Sequence, residues 1–283
     1  MTDSHVPTVT LNDDRQIPQL GFGVFQVPPE QTQETVEQAL ESGYRHIDTA
    51  QMYGNEEGVG AAIKAAGIPR EELWITTKLN NGFHRPDDAR RTFGESLDRL
   101  GLDQVDLFLI HWPLPMRYDG DYATTWRTLT ELHEDGRARS VGVSNFEPDH
   151  LQTIIDATGV VPAVNQIEVH PFFGNEAARG ADARHGIATE AWAPIAKGRV
   201  NEDPTIKEIA GRVGRTPAQV ALRWHIQRGD IVFPKSTHAE RMQENFAIFD
   251  FQLSDDDVAT ISALDRGEDG RTGPNPNTMD WLG

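Results

Sequence analysis

This sequence predicts one α/β domain over residues 1–283, a (β/α)8 barrel with an N-terminal β-hairpin closing its bottom. Three observations lead to that fold. The first is length, since 283 residues suit barrels that run to about 250 residues without division. The second is the alternation of eight short apolar runs with longer amphipathic stretches: LGFGVF, YRHID, LWITTKL, VDLFLIHW, SVGVSN, VNQIEVH, IATEAWAP and IVFPKS. Short buried strands separated by helices read as parallel, because parallel strands need crossovers and bury both faces. The third lies at the ends of the runs, where apolar residues give way to Asp48, Lys78, His111, Ser144 and Asn145, Glu168 and His170, Trp192, and Lys235. Barrel active sites gather at those strand ends.

Taken in order, TVTLNDDRQIPQL opens the chain as a hairpin turning at Asn12 to Asp14. EQTQETVEQALES before Gly43 and PDDARRTFGESLDRL before Gly101 read as helices, each closed by a glycine suited to a left-handed backbone. Thr216 and Pro217 read as an N-cap and first helical residue. Ser254 with Asp257 resembles a capping box in which Asp replaces Glu. No Pro/Gly/Ser-rich linker divides the chain. A doubly wound sheet is the rival, but GFGVFQ lacks the third glycine of the dinucleotide fingerprint and GVGAAI follows no strand.

The charge balance narrows the function. With 26 basic and 44 acidic residues the formal charge is −18, a field that repels nucleic acid and anionic lipid, so a phosphate-bearing ligand needs a local basic site. The absence of cysteine removes disulfides, thiol nucleophiles and zinc–thiolate sites, and fits a reducing compartment. The start MTDSHVPTVT has neither the basic patch nor the apolar core of a signal peptide, and no apolar run approaches the roughly 20 residues of a membrane span. A soluble, cytoplasmic, monomeric protein is expected.

One passage, GYRHIDTAQMYGNE from Gly43 to Glu56, carries Asp48 at a strand end and Tyr53 five residues into the loop. With Lys78 and His111 they assemble an acid, a phenol, an ammonium and an imidazole around one mouth. An ammonium at about 4 Å, with an effective dielectric of about 20, favours the phenolate by roughly 4 kcal/mol, or about three pKa units before desolvation. It is therefore expected to lower the Tyr53 pKa. Asp48 would keep Lys78 charged and oriented, and His111 would position an oxygen beside Tyr53. The set suits proton delivery to a carbonyl oxygen acquiring negative charge.

GYRHIDTAQMYGNE, TTKL, LFLIHWP, VGVSNF, VNQIEVHP and PKS followed by ERMQEN resemble, in order and over almost the whole chain, the aldo-keto reductases. GVGAAI, TPAQVALRWH and ENFAIFDFQLS are most similar to the bacterial 2,5-diketo-D-gluconate reductase group. The resemblance implies an NADPH-dependent barrel reducing small aldehydes and ketones, with dicarbonyls such as methylglyoxal and keto-sugars as suggested substrates. It implies Tyr53 as proton donor supported by Asp48 and Lys78, and His111 orienting the carbonyl. By the same match Ser144, Asn145 and Gln166 hold the carboxamide and Trp192, commonly Tyr in the family, stacks on its ring. Lys235, Ser236, Thr237 and Arg241 match the clamp on the 2′-phosphate, with Glu244 and Asn245 near the adenine; the clamp favours NADPH over NADH. Ala193 and Ala196 stand where the family often has Ser or Gly. Phe25, Met52 and Trp112, with Trp281, read as walls of an apolar substrate pocket, and Arg117 as the one candidate anion anchor in the loop from Pro113 to Tyr122.

Singly, each residue has an ordinary role: Asp48 a turn, Tyr53 a half-buried aromatic, Lys78 a solvated strand end, His111 a satisfied core histidine. Ser144 and Asn145 read as a turn, Gln166 as a buried strand amide, Trp192 as core, and Lys235 with Arg241 as a surface charge pair. His170 before Pro171 reads as structural. Two rival functions stand beside the reductase. A zinc hydrolase would draw on His46, Asp48, His111, Glu168 and His170, but the HID strand is read as turning His46 and Asp48 to opposite faces, and Lys78 would lack a purpose. No metal is expected. A catalytically slow NADPH-binding sensor or subunit is the other.

Overall fold

The computed structural model describes residues 6–283, so the first five residues of the MTDSHVPTVT opening lie outside it. The hairpin forms as expected: β1 (Thr8–Thr10) pairs antiparallel with β2 (Gln16–Pro18), and Asp14 takes the left-handed backbone at the turn with φ 66°. Its apolar side, Leu11 and Ile17, packs on Trp74, Leu107, Leu109, Val164 and Ile231 from the barrel strands. Burying a side chain such as Ile17 is worth about 1.5–3 kcal/mol. Asn12 donates to Pro162 O at 2.9 Å and Ser140 Oγ to Asp13 Oδ2 at 2.6 Å, pinning the turn to the bottom of the barrel.

The barrel follows in chain order: β3 (Phe22–Gly23), α1 (Pro29–Glu41), β4 (His46–Asp48), α2 (Glu56–Ala66), β5 (Trp74–Leu79), α3 (Pro86–Leu100), β6 (Val105–Ile110) and α4 (Tyr122–Glu134). Then come β7 (Ala138–Ser144), α5 (Pro148–Thr158), β8 (Val164–Glu168), α6 (Glu176–His185), β9 (Ala188–Trp192), α7 (Pro204–Val213), α8 (Pro217–Arg228) and β10 (Ile231–Val232). The chain ends with α9 (Ala239–Phe246), α10 (Asp255–Ser262) and a long irregular segment. All neighbouring pairs from β3 to β10 are parallel, and the ring closes where Leu20 bridges Val232, with Gly21 N donating to Val232 O at 2.7 Å. The result is the (β/α)8 TIM barrel that the eight runs predict.

β3 and β10 are two residues each, shorter than the runs LGFGVF and IVFPKS suggest. The glycines around β3 are required by close packing: a Cβ on Gly21 would stand 2.7 Å from the His46 ring, and one on Gly23 would stand 2.9 Å from Phe233 O. The helix signals hold where capping chemistry drives them. Gly101 ends α3 with φ 65°, Thr216 and Gln219 form a capping box on α8, and Ser254 with Asp257 forms the Asp variant on α10. The main apolar core lies between strands and helices and includes Tyr44, Phe93, Phe108, Trp126 and Trp224, all buried. No helix among the described residues is long and apolar enough to cross a membrane.

Candidate active site

Asp48 and Lys78 face the barrel interior from β4 and β5, His111 follows β6, and Tyr53 sits in a short helical turn, Gln51–Tyr53, just beyond β4. Lys78 is fully buried, and its Nζ spends three bonds: on Asp48 Oδ1 at 2.7 Å, on Thr49 O at 2.9 Å and on Tyr53 Oη at 3.4 Å. An ammonium has three hydrogens, so all are used. Tyr53 therefore accepts from Lys78, and its own hydrogen remains free, with no protein acceptor among the described residues.

Burial works against the Lys78 charge, but Asp48 and Tyr53 outweigh it and hold the ammonium above its ordinary value. For Tyr53 the outcome reverses the expectation. Burial lifts the phenol and exceeds the downward pull of Lys78, which Asp48 also opposes, so the net shift is upward. A phenol held above its ordinary value keeps its proton at neutral pH, the form a donor needs. Burial, with Lys78 and His84 adding, pushes His111 well below its ordinary value, so it is neutral with one N–H to donate. Its ring lies edge-on to Tyr53 with centroids 5.7 Å apart, and its buried Nδ1 has no partner.

Across the mouth, Ser144 and Asn145 at the end of β7 meet Gln166 in the middle of β8. Ser144 Oγ donates to Gln166 O at 2.8 Å; Asn145 Nδ2 donates to His111 O at 2.9 Å and Ser144 Oγ at 3.0 Å. Asn145 holds a left-handed backbone, φ 62°, which its short polar side chain tolerates. Trp192 at the end of β9 donates its indole N–H to Asn145 Oδ1 at 2.9 Å. Gln166 Nε2 reaches both Asp48 Oδ2 and Glu190 Oε2 at 2.8 Å, which turns Oε1 outward.

The segment after β10 divides the expected phosphate clamp. Lys235 and Arg241 are exposed and form no ion pair among the described residues, an arrangement suited to an anion in an acidic chain. Ser236 is committed locally, its Oγ accepting from His238 N at 3.0 Å and reaching His238 O at 3.2 Å. Glu244 accepts from Thr216 Oγ1 at 2.7 Å, tying α9 to α8. Thr237 is half-buried beside them and Asn245 is buried in α9.

Phe25, 54% exposed, lies with its ring 5.1 Å from Tyr53, and half-buried Met52 precedes that tyrosine. Trp112 packs with Leu114, Met279 and Tyr118, so the C-terminal segment forms part of the wall. Arg117 is less available than its sequence position suggests: its Nε donates to Asp280 O at 2.9 Å and its Nη2 lies 3.4 Å from Asp280 Oδ2. Trp281 is exposed at the same end.

His46 and Asp48, two residues apart on β4, share the inward face, contrary to the opposite-face expectation, because side chains repeat every second residue of a strand. Even so, no group of three or more His, Cys, Asp or Glu side chains among the described residues is arranged to hold a metal. His170 Nε2 bonds Glu168 Oε1 at 3.1 Å in the buried interior, the structural role expected of it.

Sequence reading passed over Glu190 altogether, and it marked Glu168 at a strand end and weighed it only as a metal ligand, without the task it has at the mouth. Glu190 is the acid beneath Gln166. Glu168 accepts from Thr272 N and Thr272 Oγ1, both at 2.6 Å, and from Gly273 N at 3.0 Å, anchoring the C-terminal segment. Lys197 Nζ also reaches Thr272 O at 3.1 Å, joining that segment to the turn after Trp192. That turn places Ala193, Ala196 and Lys197 at φ 51°, 49° and 55°, unusual for residues with a Cβ.

A barrel with this mouth defines a class of oxidoreductase, and comparison with known proteins gives the family. The aldo/keto reductase family profile matches residues 19–266. An aldo-keto reductase of Mycolicibacterium smegmatis is 49% identical over 277 residues, covering 98% of this chain and 99% of the relative. The methylglyoxal reductase DkgA of Yersinia pestis is 48% identical over 276 residues, covering 96% and 97%. Among solved structures, a Gox0644 mutant in complex with NADPH superposes with a TM-score of 0.93 at 46% identity, covering 98% of this chain and 100% of the other. A putative 2,5-diketo-D-gluconic acid reductase B gives 0.91 at 37% identity, covering 98% of each chain. The chain belongs to the aldo/keto reductase family. It is an NADPH-dependent oxidoreductase of small carbonyl compounds.

Proposed function

We propose that the protein reduces small aldehydes and ketones, including dicarbonyls and keto-sugars, with Tyr53 as the proton donor. The observation that carries this reading is the full use of Lys78: three hydrogens on Asp48, Thr49 and Tyr53, with the phenol hydrogen left over for a substrate oxygen. NADPH, when bound, supplies the hydride that makes the carbonyl carbon the reduced centre. Tyr53 donates to the oxygen as negative charge develops there, and Lys78 beside it stabilises the phenolate left behind. Asp48 balances the buried ammonium through that step, and the neutral His111 donates its N–H to the same oxygen. Ser144, Asn145 and Gln166 would hold the carboxamide, Trp192 the ring face, Lys235 and Arg241 with Ser236 and Thr237 the 2′-phosphate, and Glu244 and Asn245 the adenine end.

Phe25, Met52 and Trp112 would exclude water and favour compact carbonyls. The tie between Arg117 and Asp280 leaves that wall with little to offer a substrate carboxylate. A methylglyoxal reductase among the relatives supports a dicarbonyl substrate. A monomer working in the cytoplasm is part of this proposal. NADPH consumption against a panel of dicarbonyls, keto-sugars and aromatic aldehydes, wild type beside Tyr53→Phe, tests it. Turnover lost in the variant supports the reading, whereas NADPH binding with no turnover on the panel favours a sensing role.

A further inference from the structure

Below Lys78 the barrel holds a second carboxyl group that the proposed reaction leaves without a task. Glu190, in β9, is wholly shielded from solvent. Its Oε2 accepts from Gln166 Nε2 at 2.8 Å, and the same amide nitrogen donates to Asp48 Oδ2 at 2.8 Å. One NH2 group thus spans two carboxyl groups, which fixes the amide with nitrogen inward and Oε1 toward the mouth. Among the described residues nothing donates to that oxygen, so it is open to a ligand N–H. Asp48 in turn gives its other oxygen to Lys78.

We propose that Glu190 is a positioning residue for the reduction: through Gln166 it steadies Asp48 under Lys78 and presents the Gln166 carbonyl to the cofactor carboxamide. This rests on the reading of Tyr53 as proton donor. Glu190 performs the task as the neutral acid. His46 Nδ1 faces Pro18 O at 3.3 Å and so carries the ring hydrogen, leaving Nε2 as a lone pair, 3.2 Å from Thr76 Oγ1. That lone pair lies 3.9 Å from Glu190 Oε1, which has no hydrogen-bond partner. No donor among the described residues reaches that oxygen, so an ionised carboxylate there would leave a buried negative charge unpaired against a lone pair, whereas the neutral acid leaves no charge to satisfy.

The charged or titratable groups turned toward Glu190 are Asp48 and His46 from β4 and Lys78 from β5; β8 contributes the uncharged Gln166, and β10 contributes Ile231 and Val232. Burial, then the Asp48 charge, pushes the Glu190 carboxyl up to about 8, against the pull of Gln166 and Lys78. Ionisation above that pH places a second negative charge beneath Lys78, making Tyr53 a weaker acid and reduction slower.

The test compares wild type, Glu190→Gln, Glu190→Ala and Tyr53→Phe from neutral pH into the alkaline range. The readouts are kcat for carbonyl reduction, NADPH affinity by fluorescence, and carboxyl ¹³C NMR of the cofactor-free protein. In wild type, kcat is expected to fall about tenfold with a midpoint near 8, a modest part of what a positioned acid supplies. Glu190→Gln, which keeps an acceptor for Gln166 and stays neutral, is expected to retain most of the rate and to lose that alkaline fall. Its spectrum should lack one carboxyl resonance that titrates near 8 in wild type. Glu190→Ala, checked by circular dichroism, should lose about tenfold in both rate and NADPH affinity at every pH.

An alkaline fall unchanged in Glu190→Gln, or no wild-type carboxyl titrating in that range, overturns the proposal. So does a folded Glu190→Ala equal to wild type in rate and affinity. If the Ala variant does not fold, the isosteric Gln variant and the NMR titration decide alone. Tyr53→Phe turning over like wild type defeats the underlying reading of the proton donor, and it leaves the carboxyl titration standing as a separate result.

Discussion

Gly273 lies against the edge of Trp192: a Cβ built on the glycine would stand 2.4 Å from the indole Cη2 and 3.1 Å from Glu168 Oε2. The C-terminal segment is thus fitted to the ring proposed to face the cofactor, and Glu168 holds it there through Thr272 and Gly273. A methyl group has no room, so Gly273→Ala must displace either the segment or the indole. Overpacking of this kind costs about 1–3 kcal/mol. NADPH affinity, read by fluorescence titration, is expected to weaken about tenfold. Unchanged affinity would show that the segment yields without moving Trp192.

Tyr53→Phe and Lys78→Met separate the chemical role of the mouth from its structural role. Tyr53→Phe removes one long bond at 3.4 Å and is expected to cost about 1 kcal/mol of stability, while turnover falls by about 10²–10⁴ and NADPH affinity stays near wild type. Lys78→Met leaves the buried Asp48 without its counter-ion, at a cost of about 3–5 kcal/mol in urea unfolding. Equal destabilisation by the two variants would contradict the assignment of the Lys78–Asp48 pair as the structural core of the site.

The two exposed cations are expected to read the 2′-phosphate. Lys235→Ala and Arg241→Ala each remove a charge-assisted contact worth about 1.5–3 kcal/mol, so the NADPH dissociation constant should rise about ten- to a hundredfold while that for NADH changes little. Ser236→Ala should cost less, because its hydroxyl is already engaged with His238. A uniform loss for both cofactors in the Lys235 and Arg241 variants would remove the phosphate from their role.

The legible parts of this chain were those fixed by local chemistry or by order. Eight apolar runs gave the barrel, and the capping residues Thr216 and Ser254 gave their helices, because each signal lies within a few residues of what it controls. Asp48, Tyr53, Lys78 and His111 were legible as a set because strand ends of a barrel converge whatever the intervening sequence. Glu190 was not, and Glu168 was legible as a strand-end residue but not in its task of anchoring the C-terminal segment. Each sits on a strand whose inward face is not marked by clean alternation, and the main partners of Glu168 lie 104 and 105 residues away. The Tyr53 shift was misjudged for a related reason: attraction to Lys78 follows from proximity, but the larger cost of burial depends on neighbours that sequence does not place.

Glu190 also gives the fold a pH dependence whose sign can be stated. Its carboxyl is raised from the ordinary 4.5 to about 8, so between those values the folded protein binds more protons than the unfolded chain. Stability therefore falls as pH rises through that window and levels off above it. Glu190→Gln removes this titration, leaving other buried acids such as Asp182, raised to about 7, equally present in both proteins. The difference in unfolding free energy between variant and wild type is expected to grow in favour of the variant from mildly acidic pH to about 8, by a few kcal/mol, then hold constant. Chemical denaturation at several pH values measures it. A difference independent of pH would mean that Glu190 is already ionised where its surroundings should keep it neutral.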